Sequence, residues 1–570
     1  MTAPGPTADD VRIPSGEPDV RSSRAVWVAL AGCLLGVFMQ MLDTTIVNIA
    51  LPDLTVDLGA STAEQLFVLS VYTLAFACSL LTAATLGGRY GRRRIFVLAM
   101  VAFTITSVLC GLAQTPAELI VFRATQGVSA AFMSAQTLAL IAGLFPKSRH
   151  PLVFGIYGAI AGLAAMLGPV LGGLLVTADV WGWGWRTIFF VNVPLAVIAT
   201  AAAWRRLPQL RDDDPARPDL VGVALSTSGL FLLLYPLAVG REQGWPVHLW
   251  VMMAVAVVLF AAFIVVERRL LARGGSPLLR TDLFASRRFA IGLTLSLLFF
   301  SVFAGFFFTV SISAQFGLGY SALRTGLLAL PFALGAAVGS VVSPIIVQRL
   351  AAPRTLCLAV LTVSVGFTWL GFALAPETGT MSIPAVIAPL VVGGLGTGMF
   401  VAPLQTTILS DTSEENIGSA SGCVPTVQQI GASIGLAVVT IFFFGQVSAE
   451  AHDAVPRTKV ELSTALENST VEPLFRTSVA DRFADCATAQ LTSPHPDRPA
   501  PGCETSSSGQ TGIAARVVEQ SRDDLAVAGR SVAARTFLGG FQHTSWALAG
   551  IGVVIAALAL ALGWNGPRRR

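Results

Sequence analysis

The chain is short of charge. Asp, Glu, Lys and Arg make up 12% of its 570 residues, about half the roughly 25% of a soluble domain. Lysine is nearly missing: Lys147 and Lys459 are the only two, so the basic residues are almost all arginine. The five histidines, His150, His248, His452, His495 and His543, are scattered without ligand spacing, and no metal site is proposed. No Walker A string occurs, so ATP is not expected to power the chain. Gly393-Gly394-Leu395-Gly396-Thr397-Gly398 lacks the spacing and context of a dinucleotide fingerprint. No nucleophile constellation argues for an enzyme. The net charge of +4 follows from arginines at the ends of apolar runs and gives no reason to invoke nucleic acid.

What the chain has is apolar length. It is 54% hydrophobic with a mean hydropathy of +0.70, and runs of about 20 residues, enough to cross a ~30 Å core as helices, recur almost end to end. Fourteen are expected, near 25–51, 62–83, 94–114, 117–143, 152–176, 186–204, 218–239, 247–267, 289–316, 323–348, 354–376, 384–409, 421–446 and 544–564. This is the pattern of an all-α polytopic membrane protein. The first 24 residues, rich in Pro, Asp and Gly, read as a disordered tail.

Arginines set the expected orientation. Alternate connections carry Arg89, Arg92, Arg93 and Arg94; Lys147 and Arg149; Arg205, Arg206, Arg211 and Arg217. They continue with Arg268, Arg269, Arg273, Arg280, Arg287 and Arg288, then Arg349 and Arg354. The short connections opposite hold only Arg186, Arg241 and Arg324. Both termini are therefore expected in the cytoplasm. Residues 447–543 fall outside and read as a flexible polar insert. Cys486 and Cys503 are the two cysteines in that insert, on the oxidising side, and are a candidate disulfide.

Two charges lie deep in apolar runs. Asp43 is about eight residues from the outer end of the first run, ~12 Å at 1.5 Å per residue. Arg123 is about six residues down the fourth, ~9 Å from the same face. Mutual pairing is the least costly way to hold both. Burial raises a carboxyl's proton affinity and a guanidinium lowers it, so a conformational change altering either makes the pair a proton switch. Glu118, Asp219 and Glu267 lie at run ends and are set aside as carriers.

Taken together, the motifs resemble the fourteen-helix drug:proton antiporter family of the major facilitator superfamily. The likeness spans nearly the whole chain except the first tail and the insert. LDTTIVNIALP (42–52) is similar to that family's helix 1 signature, with Asp43 as its acid. LIVFRATQG (119–127) resembles the helix 4 motif, whose Arg corresponds to Arg123. GPVLGG (168–173) resembles the helix 5 antiporter motif, with Gly168, Pro169, Gly172 and Gly173. WRTIFFVNVP (185–194) and LGYS (318–321) are further family-like strings. LGGRYGRRR (86–94) is similar to the gating loop between helices 2 and 3, with Arg89, Gly91 and Arg92. There the family usually has Asp where this chain has Gly88, which puts the usual gating bridge in doubt.

The resemblance implies a major facilitator fold: two six-helix bundles, 25–204 and 289–564, with two additional helices in the linker 205–288, and cytoplasmic tails 1–24 and 565–570. It implies a proton-coupled antiporter in the cell membrane that exports amphipathic drugs or antibiotics by alternating access, driven by the proton gradient without a cofactor. A monomer is plausible. Tyr72, Gln126, Phe299, Phe303 and Phe306 are candidates to line the substrate cavity. With one deep acid, neutral or singly charged amphipaths are expected over dications. The rival readings are an exporter of lipids or cell-envelope precursors, which uses the insert to hand over cargo, and a non-transporting membrane sensor.

Overall fold

The computed structural model describes residues 23–60, 62–146, 149–209, 219–241, 243–275, 277–410, 417–493, 503 and 513–562. Of the expected tails 1–24 and 565–570, residues 1–22 and 565–570 lie outside the described residues, and Ser23 and Arg24 belong to the first helix rather than to a tail.

In the first half, α1 (Ser23–Leu58), α2 (Thr62–Tyr90), α3 (Arg92–Leu112), α4 (Pro116–Leu144) and α5 (His150–Ala178) are followed by the short α6 (Thr187–Phe190) and α7 (Asn192–Arg206). Proline, which lacks an N–H, interrupts helical bonding. Pro194 stands just past the join at Val191, so α6 and α7 together make one span, Gly184–Arg206. Within this half α2 and α3 pack on α4, and α1 packs on α5 and α7. The paired helices α8 (Leu220–Val239) and α9 (Val247–Ala272) come next.

The second half holds α10 (Arg287–Ile312), α11 (Ala322–Leu350), α12 (Ala352–Ala373), α13 (Ile383–Leu409), α14 (Ile417–Glu467), α15 (Pro473–Thr492) and α16 (Ile513–Ala561). Here α11 and α12 pack on α13, and α14 packs on α10 and α16. The halves meet where α5 lies along α11 and α2 along α14, while α8 touches both α2 and α14. Thirteen helices are long and apolar enough to span a bilayer among the described residues. The remaining expected span is α5, 29 residues long and so about 43 Å at 1.5 Å per residue, in which the side chains of 165, 166 and 169 lie outside the described ones.

The halves repeat one local device. A single residue, Gly91, joins α2 to α3, and a single residue, Ala351, joins α11 to α12; both have positive φ, 97° and 65°. Reversing one helix into the next over one residue needs that backbone region, which glycine enters freely and alanine only with strain.

The insert departs from expectation. Rather than a flexible loop at 447–543, α14 and α16 run on past their apolar segments and α15 packs between them. Leu462, Leu466, Val471, Ala480 and Ala528 form a small core of their own, and Ala451, Ala454, Val455 and Val532 a second. A change from apolar to polar marks where a helix leaves hydrocarbon, not where it stops. Cys486 and Cys503 are joined by a disulfide.

Candidate functional site

Asp43 of α1 and Arg123 of α4 form a salt bridge through Oδ2 and Nη1, with both side chains shut off from solvent. The remaining polar capacity of each is taken up by neighbours. Gln126, one turn beyond Arg123, accepts from Arg123 Nη1 at 2.9 Å and donates to Asp43 Oδ1 at 3.0 Å. Asn192, at the start of α7, donates to the same Oδ1 at 3.4 Å and to Ser107 Oγ at 3.0 Å. Ser107 in turn donates to the carbonyl of Phe189 at 2.9 Å, beside the α6–α7 join. Arg123 Nε donates to the carbonyl of Val68 at 3.5 Å, and its guanidinium lies 4.4 Å from the ring centre of Tyr72. Five elements therefore converge on one carboxylate–guanidinium pair: α1, α2, α3, α4 and the α6–α7 span. A buried pair holds only when its other lone pairs and protons are satisfied, and this one is nearly complete. Asn192 Oδ1 stays without a donor among the described residues.

The glycine motif of α5 packs directly on this part of α1. A Cβ on Gly168 would stand 1.9 Å from Thr45 Oγ1, and one on Gly172 would stand 3.0 Å from Ile46 Cγ1. Bare backbone on two successive turns lets α5 approach the helix carrying Asp43, as small residues do at membrane helix contacts. Gly173 faces α11, where a Cβ would meet Leu323 at 3.7 Å. The side chain of Pro169 lies outside the described ones.

Arg89, Gly91 and Arg92 sit at the α2–α3 turn as the sequence places them. Arg92 is buried and Arg89 stacks near Tyr90 at 5.5 Å. A side chain on Gly91 would strike Gln209, so the turn is closed against the segment leaving α7.

The candidate cavity residues need correction. Tyr72 and Gln126 are buried on the ion pair, not on an open cavity. Phe299 and Phe306 are buried in the core of the second half: Phe299 stacks on Phe400 of α13 at 4.3 Å and Phe306 on Phe367 of α12 at 4.2 Å. Their spacing does make one helical face with Phe303, but that face meets α12 and α13. Phe303 is half-buried at its edge, 4.9 Å from Phe307. A cavity of about 470 Å³ lies instead on the arginine-rich side, between His150 of α5 and Arg288, Ala351, Pro353 and Thr406 of the second half.

Two features were missed in the sequence. Asn192 and Ser107 are neutral polar residues of a kind common in membrane helices, and only the helix break before Pro194 sets Asn192 apart. On the face opposite the arginine-rich side, Asp57 accepts from Trp185 Nε1 at 3.1 Å and pairs with Arg186. Arg186 also donates to the carbonyl of Ala113 at 3.2 Å. These bonds hold the Asp57 carboxyl below the usual carboxylate range, those from Arg186 and Trp185 outweighing the slight burial. They tie the end of α1 to the α3–α4 turn and the start of α6.

A polytopic bundle pair of this kind, built around a sequestered ion pair, is a membrane transporter. The Major Facilitator Superfamily model matches residues 33–436, and the chain belongs to that superfamily. It is 32% identical over 542 residues to the probable actinorhodin transporter of Streptomyces coelicolor, covering 94% of this chain and 91% of that one. It is 34% identical to the puromycin resistance protein pur8 of Streptomyces alboniger, covering 74% and 83%. To the tetracenomycin C resistance and export protein of Streptomyces glaucescens it is 31% identical, covering 78% and 81%. Among solved structures, the human organic anion transporter MFSD10 shares the fold with a TM-score of 0.53 at 18% identity, covering 73% of this chain and 94% of that one. The proton:xylose symporter XylE does so with a TM-score of 0.51 at 15% identity, covering 73% and 88%.

Proposed function

We propose that the chain is a proton-coupled antiporter of the bacterial cytoplasmic membrane that exports amphipathic, antibiotic-like molecules by alternating access. The observation that carries this is the sealed Asp43–Arg123 pair. An ionisable pair at that depth is costly to keep, and it serves a cycle in which one partner changes charge. Protonation of Asp43 from the outer side releases Arg123 and the donors Gln126 and Asn192. The freed contacts let α1 and α4 move relative to α7, and rocking of the two halves then exposes substrate to alternate sides. Deprotonation on the inner side restores the cluster. The arginine-rich face is the cytoplasmic one by the positive-inside bias, so both termini are inside and the helical insert is outside. The printed names of the Streptomyces relatives support an antibiotic-type cargo.

The test is uptake of a fluorescent lipophilic monocation into inverted membrane vesicles. Accumulation is expected when the interior is made acidic and is expected to collapse on adding a protonophore. Accumulation that follows ATP or sodium, and ignores the pH gradient, contradicts the reading.

A further inference from the structure

Glu267 is a second buried acid, and nothing in the transport cycle above uses it. It sits in the last turns of α9, fully buried, next to the exposed Arg268 and Arg269. Its Oε2 accepts the N–H of Leu279 at 3.0 Å, while Oε1 meets no donor group among the described residues. Opposite stands the half-buried Asp219, which caps α8: Oδ1 accepts the N–H of Gly222 at 2.8 Å, and Oδ2 is buried and likewise without a donor group among the described residues. The two bare oxygens converge. A Cβ on Gly222 would stand 2.2 Å from Asp219 Oδ2 and 2.3 Å from Glu267 Oε1, so both oxygens reach the same spot beside Gly222.

Ionised carboxylates only accept hydrogen bonds. Two that face each other out of water repel unless one carries a proton, which then bridges them. Neither acid forms a salt bridge among the described residues. Of the charged groups around them, Arg280 pairs with Asp282 at 3.0 Å, and Arg268 and Arg269 of α9 and Arg273 just past its end are exposed.

We infer that Asp219 and Glu267 form a second proton-binding site, a carboxylic acid and a carboxylate sharing one proton, which clasps α8 to α9 where these helices join the two halves. Glu267 extends the clasp through Leu279 to the segment entering the second half, where the N–H of Arg280 bonds Ser419 Oγ of α14 at 3.0 Å. On the other side Thr227 of α8 donates to the carbonyl of Cys78 in α2 at 3.3 Å. Loss of the proton leaves two like charges in one buried spot and opens the clasp. The site therefore reads pH on the arginine-rich face, apart from Asp43. Only its assignment to the cytoplasmic side rests on the orientation proposed above, which follows from the positive-inside bias.

Infrared pH-difference spectra of the full-length protein in lipid nanodiscs test this. A protonated-carboxyl C=O band is expected at about pH 7 in wild type and in Asp43→Asn. It is expected to vanish in Glu267→Gln and in Asp219→Asn, whose amides supply the missing donor and keep the fold. A band unchanged in both variants overturns the proposal. The melting temperature should fall as pH rises through neutrality in wild type and stay level in Glu267→Gln; parallel slopes overturn it. So does a melting temperature raised by a divalent cation and lowered by a chelator, with no such band, since the pair would then hold metal. Because Asp43→Asn keeps the band, failure of the antiport reading and failure of this one are distinguishable.

Discussion

Arg123 makes three kinds of contact at once: an ion pair to Asp43, a hydrogen bond to Gln126, and a ring face on Tyr72. Lysine offers a point charge without the planar fork. Arg123→Lys should reduce gradient-driven transport at least about tenfold, or roughly 1.4 kcal/mol in barrier, with normal membrane insertion; flux within error of wild type contradicts the pairing role. Arg123→Ala strands a buried carboxylate and should also destabilise the protein by about 3–5 kcal/mol. At the opposite-face latch, the lowered Asp57 carboxyl contributes stability that is present above the ordinary carboxylate range and fades as pH falls through its lowered value. Asp57→Asn should therefore melt slightly below wild type at neutral pH, with the gap closing in acid. A gap that widens in acid refutes the latch. Asp43 and Arg123 were legible because a charge in an apolar run has few explanations. Glu267 is equally visible as an acid near a helix end, but its burial and its bond to the N–H of Leu279, twelve residues on, are tertiary contacts that no local pattern announces.

Element by element, the contact of α1 with α5 positions Asp43. Gly168→Val puts branched carbon where Thr45 Oγ1 already lies and has to push the two helices apart. Transport should drop sharply while the variant still inserts and purifies, and Gly162→Val, with open space at its Cβ, should be close to wild type. Equal loss in both variants would mean that α5 tolerates no β-branching anywhere, and the specific contact would have no support. Span positions were readable from hydropathy because hydrocarbon imposes them. The ends of α14 and α16 were not, since beyond the membrane a helix is sustained by packing such as Leu462 and Leu466 against Ala528, and those partners are remote in sequence. The phenylalanines of α10 show the same limit: periodicity groups Phe299, Phe303 and Phe306 on one face but does not say whether that face meets a cavity or α12 and α13.

For the whole molecule, the helical insert is separable from the ion-pair site, which lies in the first half. Replacing residues 450–535 with a short linker should leave small-molecule efflux little changed, measured as uptake in inverted vesicles. Complete loss of efflux with intact insertion favours an exporter that hands larger, lipid-like cargo to the insert. In the proposed cycle Asp43 takes up and releases a proton and is not needed for substrate passage itself. The most direct measurement compares wild type with Asp43→Asn in proteoliposomes, reading both pH-gradient-driven accumulation of a lipophilic monocation and gradient-free exchange of that compound. Loss of accumulation with exchange retained is the predicted result, because the isosteric amide keeps the hydrogen-bonding shape and cannot release a proton. Accumulation in Asp43→Asn equal to that of wild type would contradict the mechanism.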